Sequence, residues 1–337
     1  MAGATVATNR REARRPRRIP ARAPCLAVLL GGCSGMQSML DPAGIAATRI
    51  ADLFWVMLIG AAVIWCLVIS LAVYASRLKK TPVSERTALR LIIGAGVVFP
   101  TVVLTALLVY GLRLMPELRT SDGDLTIAVT GEQFWWRVEY RLPDGRVVPS
   151  ANELRMPAGA TVEVVLGTAD VIHSFWIPAL AGKTDMIPGR TTRQMLKPER
   201  PGIYRGACAE FCGSSHSLMA MTAVVMEPEA FAAWIEREAA DAVPSGNARG
   251  REVFMASGCS ACHTVRGTEA AGRIGPDLTH LGGRESLGAG ILPNQPDAIA
   301  RFVAETDRIK PGARMPAFPM LPEDDLAALA AWLGGLE

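Results

Sequence analysis

No basic stripe with interleaved aromatics runs through this sequence, and aromatic residues make up only 6% of it. Nucleic acid is therefore not an expected partner. No motif for a catalytic nucleophile or a phosphate cradle appears either. The seven cysteines form no obvious long-range pairs, which argues against a disulfide scaffold. The formal charge of +3 is also unevenly placed. Residues 1–32 hold seven Arg and one Glu, and the remainder carries 28 basic against 31 acidic residues. The basic excess belongs to the N-terminus alone.

What is present is apolar. Half of the 337 residues are hydrophobic, and the mean hydropathy of +0.24 is high for a wholly soluble chain. This length allows two or three domains. A basic flank at residues 10–22 leads into a short apolar run at 23–30, then Gly31-Gly32-Cys33. That order is expected of a secretory signal over residues 1–32. Leu30-Gly31-Gly32-Cys33 also resembles a lipoprotein box, which makes Cys33 the expected lipidation site, although Gly31 is unusual at its place there.

Two charge-free runs follow, at residues 53–76 and 91–112. Each exceeds the roughly 20 residues a helix needs to cross the hydrocarbon layer. Arg77, Lys79, Lys80, Arg86 and Arg90 lie between them, against one Glu. The positive-inside rule puts that loop in the cytoplasm and both outer ends on the opposite side. The expectation is a two-pass hairpin over 33–115 in a bacterial inner (plasma) membrane. Everything after about Pro116 then lies on the periplasmic or outer face.

From residue 125 to 226 the pattern becomes short and β-rich, with turns at Pro143-Asp144-Gly145 and Pro157-Ala158-Gly159. An all-β sandwich or barrel is expected over 116–228. It carries His173 and the run Cys208-Ala-Glu210-Phe-Cys212-Gly-Ser-Ser-His216-Ser-Leu-Met219. Two thiolates, an imidazole and a thioether can converge from one tight loop, with His173 arriving from elsewhere. Soft sulfur with imidazole suits copper or zinc. Zinc needs only Cys₂His₂, whereas a weak thioether ligand favours copper. Two cysteines that can each bridge permit a two-copper cluster. A structural zinc site and a Cys208–Cys212 disulfide stay open as alternatives.

Several stretches resemble cytochrome c oxidase subunit II. They are Val171-Ile-His173-Ser-Phe-Trp-Ile-Pro178, Lys183-Thr-Asp185-Met-Ile-Pro-Gly189-Arg190, Gly202-Ile-Tyr204, the Cys208 motif, Gly131-Glu-Gln133-Phe-Trp-Trp136 and Asp41-Pro-Ala-Gly44. The resemblance covers about residues 37–228. It implies a cupredoxin-like fold and a mixed-valence dicopper centre held by His173, Cys208, Cys212, His216 and Met219, with Glu210 ligating through its carbonyl. It further implies a magnesium site reached by the Glu210 side chain and shared with subunit I. Subunits I and III and a soluble cytochrome c donor are the implied partners. The family often has Trp-Tyr-Trp where this chain has Phe134-Trp135-Trp136. The first aromatic often receives electrons from the donor, so Phe134 puts that route in doubt. Trp135 and Trp136 are the remaining aromatic candidates for receiving electrons, and core packing is their plainer role.

Pro228 can open a helix whose face carries Phe231, Trp234 and Ile235, and residues 241–250 read as a linker. The helix and linker are expected over 229–249. Cys259-Ser-Ala-Cys262-His263 then gives the C-x-x-C-H signal of covalent haem attachment. Two thiols on one turn can bond the two vinyl groups, and His263 is then held under the iron. With Gly275-Pro276-Asp277-Leu278 and a terminal helix near residue 322, residues 250–337 resemble a class I, all-α cytochrome c. Met315 is the expected distal ligand, with Met320 as rival, and a His/Met pair leaves no open position for oxygen. His280 is expected at the surface or the haem edge. Nine basic and eleven acidic residues from 249 to 337 make no strong steering charge.

The expected function is transfer of electrons from cytochrome c through haem c and the dicopper centre to subunit I of a proton-translocating oxidase. A nitric oxide reductase subunit is the alternative of the same superfamily. A stand-alone carrier or a quinol oxidase subunit is the alternative of another class.

Overall fold

The computed structural model describes residues 32, 34–78, 82–115, 123–243 and 246–337. Most of the expected signal segment, Cys33, Lys79, Lys80 and part of the 241–250 linker lie outside the described residues.

Helix α1 (Ile45–Val73) runs on into a π-helical turn, Tyr74–Leu78. Helix α2 (Glu85–Ile93) leads through a second π-helical turn, Gly94–Val98, into α3 (Phe99–Leu114). Pro100 sits in the first turn of α3. It lacks the N–H that would continue the i→i−4 ladder, so the backbone takes up the slack just before it. The two apolar helices span 34 and 30 residues, long enough to cross a membrane. Both exceed the uncharged runs at 53–76 and 91–112. Hydropathy stops at Arg49, Asp52, Arg86 and Arg90, but helical hydrogen bonding does not. At 1.5 Å per residue the first helix is about 50 Å long, more than the ~30 Å hydrocarbon layer.

The extra length at the start of α1 has a structural use. Ala43, Ala47 and Ala51 are buried. Ala43 N–H donates to the Ala179 carbonyl at 2.7 Å and Ala47 N–H to that of Leu180 at 3.2 Å. A Cβ on Gly44 would lie 2.8 Å from the Leu180 oxygen and 3.1 Å from that of Lys197. Backbone thus seats the membrane helix directly on backbone of the β-domain. Gly44→Val should force these apart and cost about 1–3 kcal/mol. Thermal unfolding of the detergent-solubilised chain should show a lower midpoint, and an unchanged midpoint would refute the close seat.

The β-domain is a sandwich of two five-stranded sheets. The first has the order β3-β2-β1-β5-β8 and the second β4-β10-β9-β6-β7. The strands are β1 (Leu125–Glu132), β2 (Trp135–Arg141), β3 (Val147–Ala151), β4 (Glu153–Pro157) and β5 (Val162–Thr168). They continue with β6 (His173–Trp176), β7 (Thr184–Met186), β8 (Thr192–Leu196), β9 (Gly202–Cys208) and β10 (Ala220–Met226). Alternation along β1 and β5 buries Ile127, Val129, Val162, Val164 and Leu166 between the sheets, as period-2 patterning requires. Strands β1 and β5 are parallel, pairing Ile127 with Val164, while β9 and β10 are antiparallel. Helix α4 (Pro228–Ala239) buries Phe231, Trp234 and Ile235 on this domain. The Trp234 ring meets Tyr140 edge-on at 5.2 Å.

The C-terminal domain is helical. It contains α5 (Ala248–Ala256), α6 (Pro296–Ala304), α7 (Thr306–Ile309) and α8 (Glu323–Gly334). A two-residue hairpin, β11 (Ser286–Leu287) with β12 (Leu292–Pro293), is added to them. Helices α5 and α8 pack through Phe254 and Trp332, whose rings are 5.0 Å apart. Three acids in the first turn of α8 complement its dipole.

Candidate metal centre

The sequence donors converge at one end of the sandwich. His173 opens β6, Cys208 closes β9, and the loop from there to β10 returns with Cys212, His216 and Met219. Pairing of Phe175 with Cys208 across β6 and β9 brings the distant histidine to the loop. His173 Nδ1 lies 3.7 Å from Cys208 Sγ, and His216 Nδ1 lies 3.6 Å from Cys212 Sγ. The two sulfurs are 3.8 Å apart, and Met219 Sδ is 4.0 Å from Cys212 Sγ. The Glu210 carbonyl lies 3.2 Å from Cys208 Sγ. His173, Cys208, Cys212 and Met219 are all buried. At 3.8 Å the thiols are not bonded to each other, since a disulfide measures about 2.05 Å.

The surroundings fit cations. Asp170 Oδ1 is 2.9 Å from His173 Nε2. A carboxylate only accepts, so Nε2 carries the proton and Nδ1 turns its lone pair toward the sulfurs. Burial pulls the His173 pKa down, but contacts with Cys208 and Asp170 outweigh it and raise it. Burial pushes Cys208 up, yet His173 and nearby backbone bring its thiol well below the usual range. Cys212 moves up, first through burial and then through the Cys208 thiolate beside it. One thiolate therefore forms readily and the second needs positive charge nearby. Two bridging-capable sulfurs, with one imidazole Nδ1 near each, suit a pair of soft metal ions.

Several residues support the donors in ways that sequence spacing does not show. Asp170 stands three residues before His173, and only proximity could have pointed to it. Gln133 Nε2 donates to the Cys212 carbonyl at 2.5 Å. A Cβ on Gly131 would lie 2.8 Å from the His173 ring, so the ring needs glycine there. Trp136 is fully buried and donates its indole N–H to the Ala220 carbonyl at 3.0 Å. Its ring lies 6.1 Å from that of His173. Of the two tryptophans, Trp135 is the one with a solvent-facing ring, stacked under Arg137 at 4.7 Å. The Glu210 side chain is half exposed, 3.8 Å from Lys183 Nζ.

In the helical domain, Cys259 lies on a 3₁₀ turn entered through left-handed Gly258, and Cys262 and His263 follow. His263 Nδ1 donates to the Pro276 carbonyl at 2.8 Å, which leaves Nε2 as the acceptor nitrogen. Burial holds the His263 pKa down, in the neutral, metal-binding form. A Cβ on Gly275 would lie 2.5 Å from the ring. Met315 packs on the domain core, whereas Met320 is 72% exposed. Two free thiols beside a neutral imidazole, with a core-packed thioether, suit a haem. Of the two positions expected for His280, the surface and the haem edge, the surface one does not hold. The residue is buried, with Nε2 3.1 Å from the Ala240 carbonyl that ends α4, because the domain packs on that helix.

Lys310 is buried as well, and its ammonium donates to the Gly288 carbonyl at 2.5 Å. Burial pulls its pKa down to about 7 from 10.5. The unfolded chain then holds more protons between pH 7 and 10.5, so this group makes stability rise with pH through that window. Lys310→Met should raise stability at pH 7 by about 2–4 kcal/mol and flatten the rise. Unfolding midpoints of the solubilised chain at pH 7 and pH 10 test this. An equal pH slope in variant and parent would refute it.

A membrane-anchored electron-transfer subunit, with a sulfur-rich metal loop on a β-sandwich and a cytochrome c domain behind it, is the class that fold and site define. A family model described as cytochrome C oxidase subunit II, periplasmic domain, matches residues 141–226, and one described as cytochrome c matches 247–337. The chain is 32% identical over 330 residues to a cytochrome c oxidase subunit 2 of Alkalihalophilus pseudofirmus, covering 93% of this chain and 95% of that one. It is 30% identical over 251 residues to that of Bacillus sp. (strain PS3), covering 71% and 69%. The crystal structure of the periplasmic domain of subunit II of cytochrome oxidase of Bradyrhizobium japonicum matches at 32% identity. It covers 36% of this chain and 96% of that one, with a TM-score of 0.34. The chain belongs to the cytochrome c oxidase subunit 2 family. Membership implies a copper centre in the β-domain and a haem in the helical one.

Proposed function

We propose that this chain receives electrons at a covalently attached haem c, passes them to a dicopper centre, and delivers them to subunit I. There oxygen is reduced and protons are translocated. Cys259 and Cys262 attach the haem, with His263 and Met315 as its axial ligands. His173, Cys208, Cys212, His216, Met219 and the Glu210 carbonyl hold the two coppers. When bound, these groups supply reversible one-electron chemistry.

The chain's own residues do the rest. Asp170 fixes the His173 tautomer, and the Pro276 carbonyl fixes that of His263. Gln133 holds the Cys212 backbone in place. Burial of the four donors His173, Cys208, Cys212 and Met219 keeps water from the metals. The Glu210 side chain points outward, where a magnesium ion shared with subunit I could be met. Subunit III and a soluble cytochrome c complete the proposed partners. In this reading both domains lie on the periplasmic side of the inner membrane, which the two long apolar helices support, with residues 1–32 as the signal and Cys33 as its acylated end.

One observation carries this reading: two cysteine sulfurs 3.8 Å apart, each with an imidazole Nδ1 within 3.7 Å. Metal and haem analysis of the purified complex, with EPR, tests it. Two coppers sharing one unpaired electron and one covalent haem are expected. Zinc in their place, or a Cys208–Cys212 cross-link, would overturn it.

A further inference from the structure

The segment that carries Met315 lies directly on the copper loop. Ser214 Oγ and Ser215 Oγ both donate to the Pro311 carbonyl, at 2.8 and 2.7 Å. Ser215 is fully buried and immediately precedes His216. Pro311 stands four residues before Met315. Next to it, Gly312 has a φ of +79°, and a Cβ there would lie 2.5 Å from Ser214 Oγ and 3.4 Å from the Phe134 ring. Arg314, adjacent to Met315, lies 3.5 Å from the Asp170 carboxylate that also holds His173.

The rest of the interface steadies this contact. Arg137 donates to the Arg273 carbonyl at 3.0 Å, on the His263 side of the domain. Arg155 reaches the Gly283 carbonyl at 2.9 Å and Arg205 that of Gly290 at 2.8 Å. The copper domain therefore grips the helical domain on both sides of the expected haem crevice. A freely swinging tether, with its high effective concentration, is not what these contacts describe.

We propose that Ser214 and Ser215 are positioning residues that latch the haem-ligand loop to the copper-ligand loop and so set the rate of electron transfer between the two centres. In that step one electron leaves ferrous haem, which becomes ferric, and reduces the mixed-valence copper pair to the cuprous state. No bond breaks and no proton moves, so the residues act through geometry alone. The inference rests on the copper and haem assignments above, and its test is arranged so that the two can fail separately.

The experiment uses the full chain in its purified complex, with copper and haem content measured on each sample. The double variant Ser214→Ala/Ser215→Ala removes both donors and adds no bulk. Gly312→Ala strikes the same contact from the other side, away from the copper ligands. Hydrogen–deuterium exchange over residues 311–315 reads the latch without reference to activity. Rapid-mixing reduction of copper by pre-reduced haem reads the rate.

Both variants should lose protection over 311–315 and slow the inter-centre step about tenfold, since misplacement by ~1 Å can cost up to about 100-fold. Potentials and the copper EPR signal should stay as in the parent. Adding Ser214→Ala to Gly312→Ala should restore part of the rate, because it removes the nearest obstructing atom. Unchanged exchange, an unchanged rate, or slowing accompanied by an altered copper signal would each overturn the latch. Absence of copper or haem from the parent complex would instead overturn the functional reading. The exchange result would still decide whether the latch exists.

Discussion

Cys212→Ser should empty the copper centre while leaving haem attachment intact. Cys212 Sγ lies within 4.0 Å of Cys208 Sγ, His216 Nδ1 and Met219 Sδ, so three of the other donors meet at this one sulfur. Serine keeps the shape but offers a hard oxygen whose proton is far less easily lost, and copper prefers soft sulfur. Removing a partner of a metal ligand typically costs 10–100-fold in affinity or activity. Removing a proposed metal ligand itself should exceed about 100-fold in electron delivery from haem to the oxidase core. A buried hydroxyl without its metal should add about 1–3 kcal/mol of destabilisation. Copper analysis and the haem-to-oxidase transfer rate check this. Retention of two coppers would mean that Cys212 is not a ligand.

The second large effect is expected far from the copper, at Gly250. A Cβ there would lie 2.2 Å from the Ala328 carbonyl oxygen and 2.4 Å from Trp332 Cβ. Both atoms belong to α8, and neither is the tip of a flexible side chain. Gly250→Ala must push α5 and α8 apart and disturb the Phe254–Trp332 contact between them. Overpacking usually costs about 1–3 kcal/mol, and rigid backbone on one side puts this case at or above the upper end. The expected result is a lower yield of haem-loaded chain and a lower unfolding midpoint at the haem absorbance, with copper content unchanged. A midpoint equal to that of the parent would refute the close crossing.

The sequence makes some parts of this molecule plain and hides others, for physical reasons. The metal loop is legible because five of its donor residues fall within twelve positions, and chemistry constrains both their type and their spacing. His173 is legible as a candidate donor by its type, but how it reaches the loop is not, since the pairing of Phe175 with Cys208 that brings it in is a tertiary fact. The membrane helices are found by hydropathy, but their ends are not. Charged Arg49 and Asp52 stay helical because α1 continues onto the β-domain. The roles of Asp170, Gly131 and Gln133 escape, although the last two stand in a family-like stretch, because a hydrogen bond or a close approach leaves no periodic trace. The latch escapes for the same reason, with Pro311 standing 97 positions after Ser214. The surface alternative for His280 fails because a polar residue in a short helical domain reads as surface until α4 is placed against it.

The seam between the two domains leans heavily on main-chain oxygens, with a few side-chain pairs such as Arg314–Asp170 beside them. Arg137, Arg155, Arg205, Ser214 and Ser215 all spend their donors on main-chain oxygens of the haem-bearing partner. A peptide oxygen is present whatever side chain its residue carries. At those five contacts the cytochrome's side chains are thus free to drift, or to be grafted from a relative, so long as the loop path is kept, whereas Arg314 and Ser286 must stay to meet Asp170 and Thr222.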